Sequence, residues 1–223
     1  MLTRIDNVLN ADELASIASV YARVPAVSGK STASGLACEL KVNLQLPAED
    51  AAVKEISRLV LTALKRNGEF YHAAFPRRAF PPMFSRYEPG MQYGDHVDNS
   101  VMAAPNPLRT DVAVTLFLSD PASYDGGELV IHDGPSATAI KLPAGSLIAY
   151  PPHFLHHVAP VTRGQRDAAI TWVESLVRNL EQRRVLMNID RALTDLHARL
   201  GDQPELHRLN NCYHTLMRMW AET

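Results

Sequence analysis

Two short stretches hold the residues that could do chemistry. The first is Tyr93-Gly94-Asp95-His96-Val97-Asp98-Asn99. The second is Leu155-His156-His157-Val158-Ala159-Pro160-Val161, followed by Gly164-Gln165-Arg166. On an extended strand, residues i and i+2 point the same way. His96 and Asp98 therefore place an imidazole and a carboxylate side by side. A second histidine from a distant strand would complete two imidazoles and one carboxylate on one face of a metal. That donor set leaves positions open and suits non-haem ferrous iron. A lone His-x-Asp is an ordinary hydrogen-bonded pair; the downstream histidines and the Gly-x-Arg are what point to a metal.

The third ligand lies among His153, His156 and His157. Alternation puts His156 with Val158 and Pro160 on one face, and His157 with Ala159 on the other. His153 sits in a Pro-rich turn. Arg166 offers a planar fork that pairs two-pronged with a carboxylate. It shares a strand face with Ala168, Ile170 and Trp172, so that face looks inward. An unpaired inward guanidinium is costly. A bound dicarboxylate would justify it; a salt bridge to a protein carboxylate is the competing reading.

The elements that must position these groups follow from the rest of the pattern. Asn10 reads as an N-cap with Glu13 completing a capping box, ahead of Leu14, Ile17, Ala18 and Tyr21 at helical spacing. Pro25, Gly29 and Gly35 mark a loop. Leu36 to Leu46 alternates as one strand, with Lys41, Asn43 and Gln45 on a face read as solvated, or exposed near the mouth of a site. A second helix is expected from about Glu49 to Arg66, stopped by Asn67-Gly68. Arg77 and Arg78 read as solvated charges.

From Phe80 the texture changes to short strands between Pro, Gly, Asn and Asp turns, the pattern of an all-β sandwich or barrel. The expected strands are Met83–Tyr87, His96–Asp98, Asp111–Leu118, Glu128–His132, Ala137–Leu142, Ser146–Tyr150, His157–Val161 and Arg166–Ser175. Gly126-Gly127 reads as turn chemistry at positive φ. Beyond Arg178, Leu186, Ile189, Leu193, Leu196 and Leu200 form one stripe. Leu206, Leu209, Tyr213, Leu216 and Trp220 form another after Gly201 and Pro204. Together they predict an antiparallel helical hairpin. His197, His207 and His214 lie there without a carboxylate at ligand spacing.

Composition bounds the function. A chain of 223 residues suits one catalytic domain with a small appendage. A net charge of −2 gives no electrostatic case for nucleic acid or an anionic membrane. No apolar leader and no bilayer-length run is apparent. Cys38 and Cys212 lie far apart in sequence, which argues against a disulfide framework or thiolate zinc cluster. These features lead us to expect a cytoplasmic, reducing location.

His-x-Asp, a distant His and then Gly-x-Arg resemble the pattern of the Fe(II)/2-oxoglutarate-dependent dioxygenases. Within them the chain is most similar to the PKHD-type hydroxylases, a bacterial group often encoded near iron-uptake genes. The resemblance rests on RYEPGMQYGDHVDNSVM, RTDVAVTLFLSDPASYDGGELVI, LPAGSLIAYPPHFLHHVAPVTRGQRDAAITWVESLVR and the terminal YHTLMRMWAE. These cover most of Arg86 to Glu222, and all four in order are far more specific than the triad spacing alone.

The resemblance implies an α+β, mainly β fold: a double-stranded β-helix (jelly-roll) core with N-terminal supporting helices and a C-terminal helical hairpin. Residues 1–178 would form the dioxygenase domain, with helical support over 1–79 and the core over 80–178; residues 179–223 would form the hairpin. In the family the ligand histidine lies two before Val and four before Pro, which selects His156 beside His96 and Asp98. Arg166 would grip the C5 carboxylate of 2-oxoglutarate and Tyr87 would hydrogen-bond it, unless Tyr87 is simply core. Tyr93, Asn99 and Trp172 stay open between pocket and structural roles. The implied reaction couples oxidative decarboxylation of 2-oxoglutarate to C–H hydroxylation, using Fe(2+) and O2, with ascorbate as a reductant. The substrate would be a small molecule, siderophore-related by family association, or a peptide. The hairpin would serve a homodimer or cover the barrel. The competing functions are a non-catalytic iron/2-oxoglutarate sensor and a cupin-like metalloenzyme that does not use 2-oxoglutarate.

Overall fold

The computed structural model of the protein describes residues 2–32, 36–102 and 106–222; Gly35, one of the loop signals, lies outside them. Strand β1 (Thr3–Ile5) leads into helix α1 (Ala11–Arg23). The start of α1 is set by the capping box. The Asn10 side chain accepts from the Glu13 amide, and the Glu13 carboxylate accepts from the Asn10 amide, each at 2.9 Å.

After β2 (Val27–Ser28) comes the stretch expected as a single strand. It is instead a helical turn, α2 (Leu36–Glu39), and two short strands, β3 (Lys41–Val42) and β4 (Leu44–Gln45), which join different sheets. The solvated-face reading is also reversed. Lys41, Asn43 and Gln45 are buried, whereas Leu40 and Val42 are 43% and 42% exposed. The alternation was legible, but nothing in a period of two says which side is inside. Here Lys41 and Gln45 turn inward to line a cavity.

Helix α3 (Ala51–Arg66) begins at Asp50, whose side chain accepts from the Ala52 and Val53 amides. Asn67 ends α3 and also caps α4 (Gly68–Ala74), accepting from the Phe70 amide at 2.8 Å. The Asn-Gly stop signal concealed that second helix. Val53, Ile56, Val60 and Leu64 on α3 are buried, each contributing on the order of 1.5–3 kcal/mol.

The strand-rich region then runs β5 (Pro76–Ala79), β6 (Met83–Tyr87), β7 (Gln92–His96), β8 (Val101–Met102), β9 (Leu108–Arg109), β10 (Val112–Phe117), β11 (Asp125–Gly126), β12 (Leu129–Asp133), β13 (Ser136–Ile140), β14 (Leu147–Tyr150), β15 (His156–Val158), β16 (Val161–Arg163) and β17 (Arg166–Ser175). The larger sheet has the order β1-β14-β10-β17-β6-β4-β2, with β5 beside β17; the smaller is β13-β12-β15-β7-β3. One core lies between the sheets, where Leu129, Ile131 and Val158 meet Tyr87, Phe117, Ile148 and Trp172. A second lies behind the larger sheet, where Val114, Leu116 and Val173 meet Ile17, Val20, Ile56 and Val60. Strand β10 is therefore covered on both faces: all six residues are buried and all but Thr115 are apolar. This is the double-stranded β-helix with supporting helices.

Arg77 and Arg78 are not merely solvated. Both pair with the buried Glu174 of β17, and Arg78 also donates to the Pro107 carbonyl at 2.9 Å. The chain closes with α5 (Leu180–Leu200) and α6 (Pro204–Trp220). Asn179 caps α5, and Gly201 at φ 68° turns the chain toward Pro204. Leu186 and Tyr213 pack with Phe75 and Val177. Arg183 is buried and donates to the carbonyls of Val177, Arg178 and Asp111. The near half of the hairpin thus covers the barrel, while Leu200 and Leu209 of the stripes are exposed. Among the described residues, no helix is long and apolar enough to cross a membrane.

Candidate metal centre

Strands β7 and β15 pair antiparallel, with His96 directly opposite His156. Strand β7 runs Gln92–His96 and ends two residues before Asp98, whereas the expected strand was His96–Asp98. Asp98 is instead held by its amide, which donates to the Pro152 carbonyl at 3.0 Å. The result is a cluster. The two imidazole centroids are 4.3 Å apart, His156 Nε2 is 3.8 Å from Asp98 Oδ1, and one donor atom from each of the three lies within 4.8 Å of the others. His157 faces the opposite side and bonds Asp95, and His153 is exposed in its turn. Of the three candidate histidines, the fold brings only His156 to His96 and Asp98.

Both imidazoles are oriented from the backbone. His96 Nδ1 lies 2.8 Å from the Gly94 carbonyl, and His156 Nδ1 lies 2.8 Å from that of Phe154. A carbonyl can only accept, so each Nδ1 donates to it, and Nε2 is the ring nitrogen left facing the cluster. Tyr93 stacks on His96 with centroids 3.6 Å apart, and Tyr150 meets His156 edge-on at 5.1 Å. Burial, assisted by the neighbouring His156, pushes the His96 pKa down to about 3, so its ring is neutral at ordinary pH. Burial pushes the Asp98 carboxyl up, and Asp98 Oδ2 is enclosed without a hydrogen-bond partner among the described residues. Buried polar atoms are normally partnered. Two imidazole nitrogens and an underpartnered carboxylate fit a divalent cation, and two histidines with one carboxylate are the donor set of non-haem ferrous iron.

The cluster opens on a pocket that is continuous with solvent. Arg166, at 1% exposure, lies in its wall. Its Nε and Nη1 have no hydrogen-bond partner among the described residues. Its neighbours are the rings of Tyr87 at 5.2 Å and Phe117 at 5.5 Å. Asp167, next in sequence, points away and pairs with Arg86 through two 3.0 Å bonds. Tyr87 stands opposite Arg166 on β6 and lines the same cavity, as do Tyr93, Asn99 and Trp172. Gly127, at φ 67°, leaves the room Arg166 needs: a Cβ there would lie 3.0 Å from Arg166 Cδ and 2.9 Å from Val161.

Lys41 and Gln45, which the sequence left between a solvated face and the mouth of a site, lie in the cavity wall, and sequence reasoning missed Thr115 there. Lys41 is buried, its Nζ 2.7 Å from Thr32 Oγ1 and 5.3 Å from the Tyr93 ring centroid. The polar side of an alternating strand was the available signal for Lys41 and Gln45. Thr115, inside an apolar run, gave none.

Residues 82–174 match the 2OG-Fe(II) oxygenase superfamily, and residues 181–222 match the PKHD-type hydroxylase C-terminal domain. Over 227 aligned residues, covering all of both chains, the sequence is 44% identical to a PKHD-type hydroxylase of Paraburkholderia phytofirmans. Among solved structures, a prolyl-4-hydroxylase of Pseudomonas putida aligns with TM-score 0.55 at 18% identity, over 78% of this chain and 92% of that one. A Trichoplax adhaerens prolyl hydroxylase, solved with a hypoxia inducible factor peptide fragment, aligns with TM-score 0.56 at 19% identity, over 83% and 86%. At such identities these two establish the shared fold.

Proposed function

The chain belongs to the PKHD-type hydroxylases of the 2OG-Fe(II) oxygenase superfamily, and from that premise we propose that His96, Asp98 and His156 hold its ferrous ion while Arg166 and Tyr87 hold 2-oxoglutarate. The observation that carries the assignment is one cavity with two unsatisfied ends. A His-His-Asp cluster with an unpartnered carboxylate oxygen stands at one, and a buried, unpaired guanidinium at the other. When bound, iron with 2-oxoglutarate and O2 supplies oxidative decarboxylation to succinate and CO2, coupled to hydroxylation of a C–H bond.

The protein's part is positioning. The Nδ1 contacts to Gly94 and Phe154 aim two lone pairs at one point, and Tyr93 holds the His96 ring against rotation. Arg166 takes the far carboxylate of the co-substrate by a two-pronged bond, and Tyr87 supports it from β6. The apolar lining of Met83, Ile170 and Trp172 keeps water from the reacting bond. The substrate we propose is a small molecule, with siderophore-related compounds the first to screen and peptides the second. We place the enzyme in the reducing cell interior, with ascorbate maintaining ferrous iron and a link to iron supply. Functionally, residues 1–178 form the catalytic unit and 179–223 the hairpin.

Purified protein with ferrous iron, ascorbate and 2-oxoglutarate should release succinate slowly, and faster with its substrate. His96→Ala should lose iron. Arg166→Ala should retain iron by metal analysis but lose 2-oxoglutarate binding by calorimetry. Unchanged turnover in Arg166→Ala would instead favour a metalloenzyme that does not use 2-oxoglutarate.

A further inference from the structure

A second group of metal-ligating side chains lies on the opposite face of the smaller sheet. Strands β12, β15 and β7 are neighbours. Because side chains alternate along a strand, Asp95 and His157 point outward where His96 and His156 point inward. His132 joins them from β12, two residues beyond Val130, the register partner of His157. One ligand atom from each of Asp95, His132 and His157 lies within 4.8 Å of the others. A hydrogen bond of 2.7 Å between His157 Nδ1 and Asp95 Oδ1 accounts for two of the three. It leaves His132 Nε2 enclosed, without a hydrogen-bond partner among the described residues, 3.9 Å from the same carboxylate oxygen.

We propose that Asp95, His132 and His157 bind a divalent transition-metal ion of the zinc class, at a site separate from the ferrous centre. Two imidazoles among three donors select zinc, nickel or copper over magnesium or calcium. Three protein ligands leave one position for water. Metal bonds near 2.0–2.2 Å set donors about 3.3 Å apart in a tetrahedral site. The 2.7 Å contact must open and the 3.9 Å contact must close, each by less than about an ångström on this estimate. The Asp95 side chain is 57% exposed and free to make that rotation. The three strands are already hydrogen-bonded to one another, so binding requires no ordering of a loop. The site does not depend on what the inner cluster binds.

The test is zinc stoichiometry of the metal-free full-length protein after equilibrium dialysis against Zn2+, with circular dichroism confirming the fold of each variant. His132→Ala and Asp95→Asn should each bind one zinc fewer than wild type. His207→Ala, which removes a histidine paired with Asp202 on the hairpin, should bind the same number as wild type. His96→Ala should lose a different ion, so that adding His132→Ala removes one more. If both His132→Ala and Asp95→Asn bind as many zinc ions as wild type, the proposal is wrong. It is equally wrong if the His96→Ala, His132→Ala pair binds no fewer than His96→Ala alone.

Discussion

At the scale of single residues, the cavity is built from groups that would be happier elsewhere. Burial lowers the Lys41 pKa from 10.5 to about 8. The folded state therefore holds fewer protons than the unfolded chain between those values, and stability rises with pH across that window. Metal-free protein should gain thermal stability from pH 8 toward pH 10. Lys41→Met should be more stable near neutral pH, by up to roughly 3 kcal/mol, and should lose that rise. Melting temperatures of the two proteins across pH would check both statements. Gly127 makes a companion case. Gly127→Ala strains a positive φ and crowds Arg166, so KM for 2-oxoglutarate should rise about tenfold, equivalent to about 1.4 kcal/mol, while iron content stays unchanged.

At the scale of elements, β7 and β15 do the positioning and α5 is held on by one buried arginine. Arg183 satisfies three backbone carbonyls, those of Val177 and Arg178 just after β17 and that of Asp111. Arg183→Met keeps much of the volume but leaves those acceptors unpaired, at a cost of about 3 kcal/mol. Urea denaturation should show the loss, and limited proteolysis should cut first near Arg178. Helix boundaries at this scale were largely legible. The Asn10–Glu13 capping box and the Asp50 start of α3 depend on groups within one turn, so the local sequence contains the whole interaction. Helix α4 was concealed because Asn67 serves as the end of one helix and the cap of the next.

At the scale of the whole molecule, the hairpin is anchored at its base and open at its tip. Its buried half covers Phe75 and Val177, and Arg109 reaches Glu222 across the junction at 3.0 Å. Leu200 and Leu209, toward the tip, stay exposed at 55% and 43%. We propose that this outer half carries a homodimer contact. Light scattering of the full chain should then give a dimer, and Leu200→Glu with Leu209→Glu a folded monomer with its iron site intact. A wild-type monomer would leave the hairpin as a cover alone.

The sequence by itself determined the Asn10 capping box, the helix and strand periods, the short-strand texture of a β sandwich or barrel and the short roll of candidate ligands, because each rests on residues near one another along the chain. Tertiary structure alone decided that Lys41 and Gln45 face inward, that Asp98 turns back onto two histidines after its strand has ended, and that Arg166 pairs with no acid among the described residues. Those outcomes depend on which sheet covers which. A period of two fixes two faces, and only packing against distant strands chooses the one that becomes the interior.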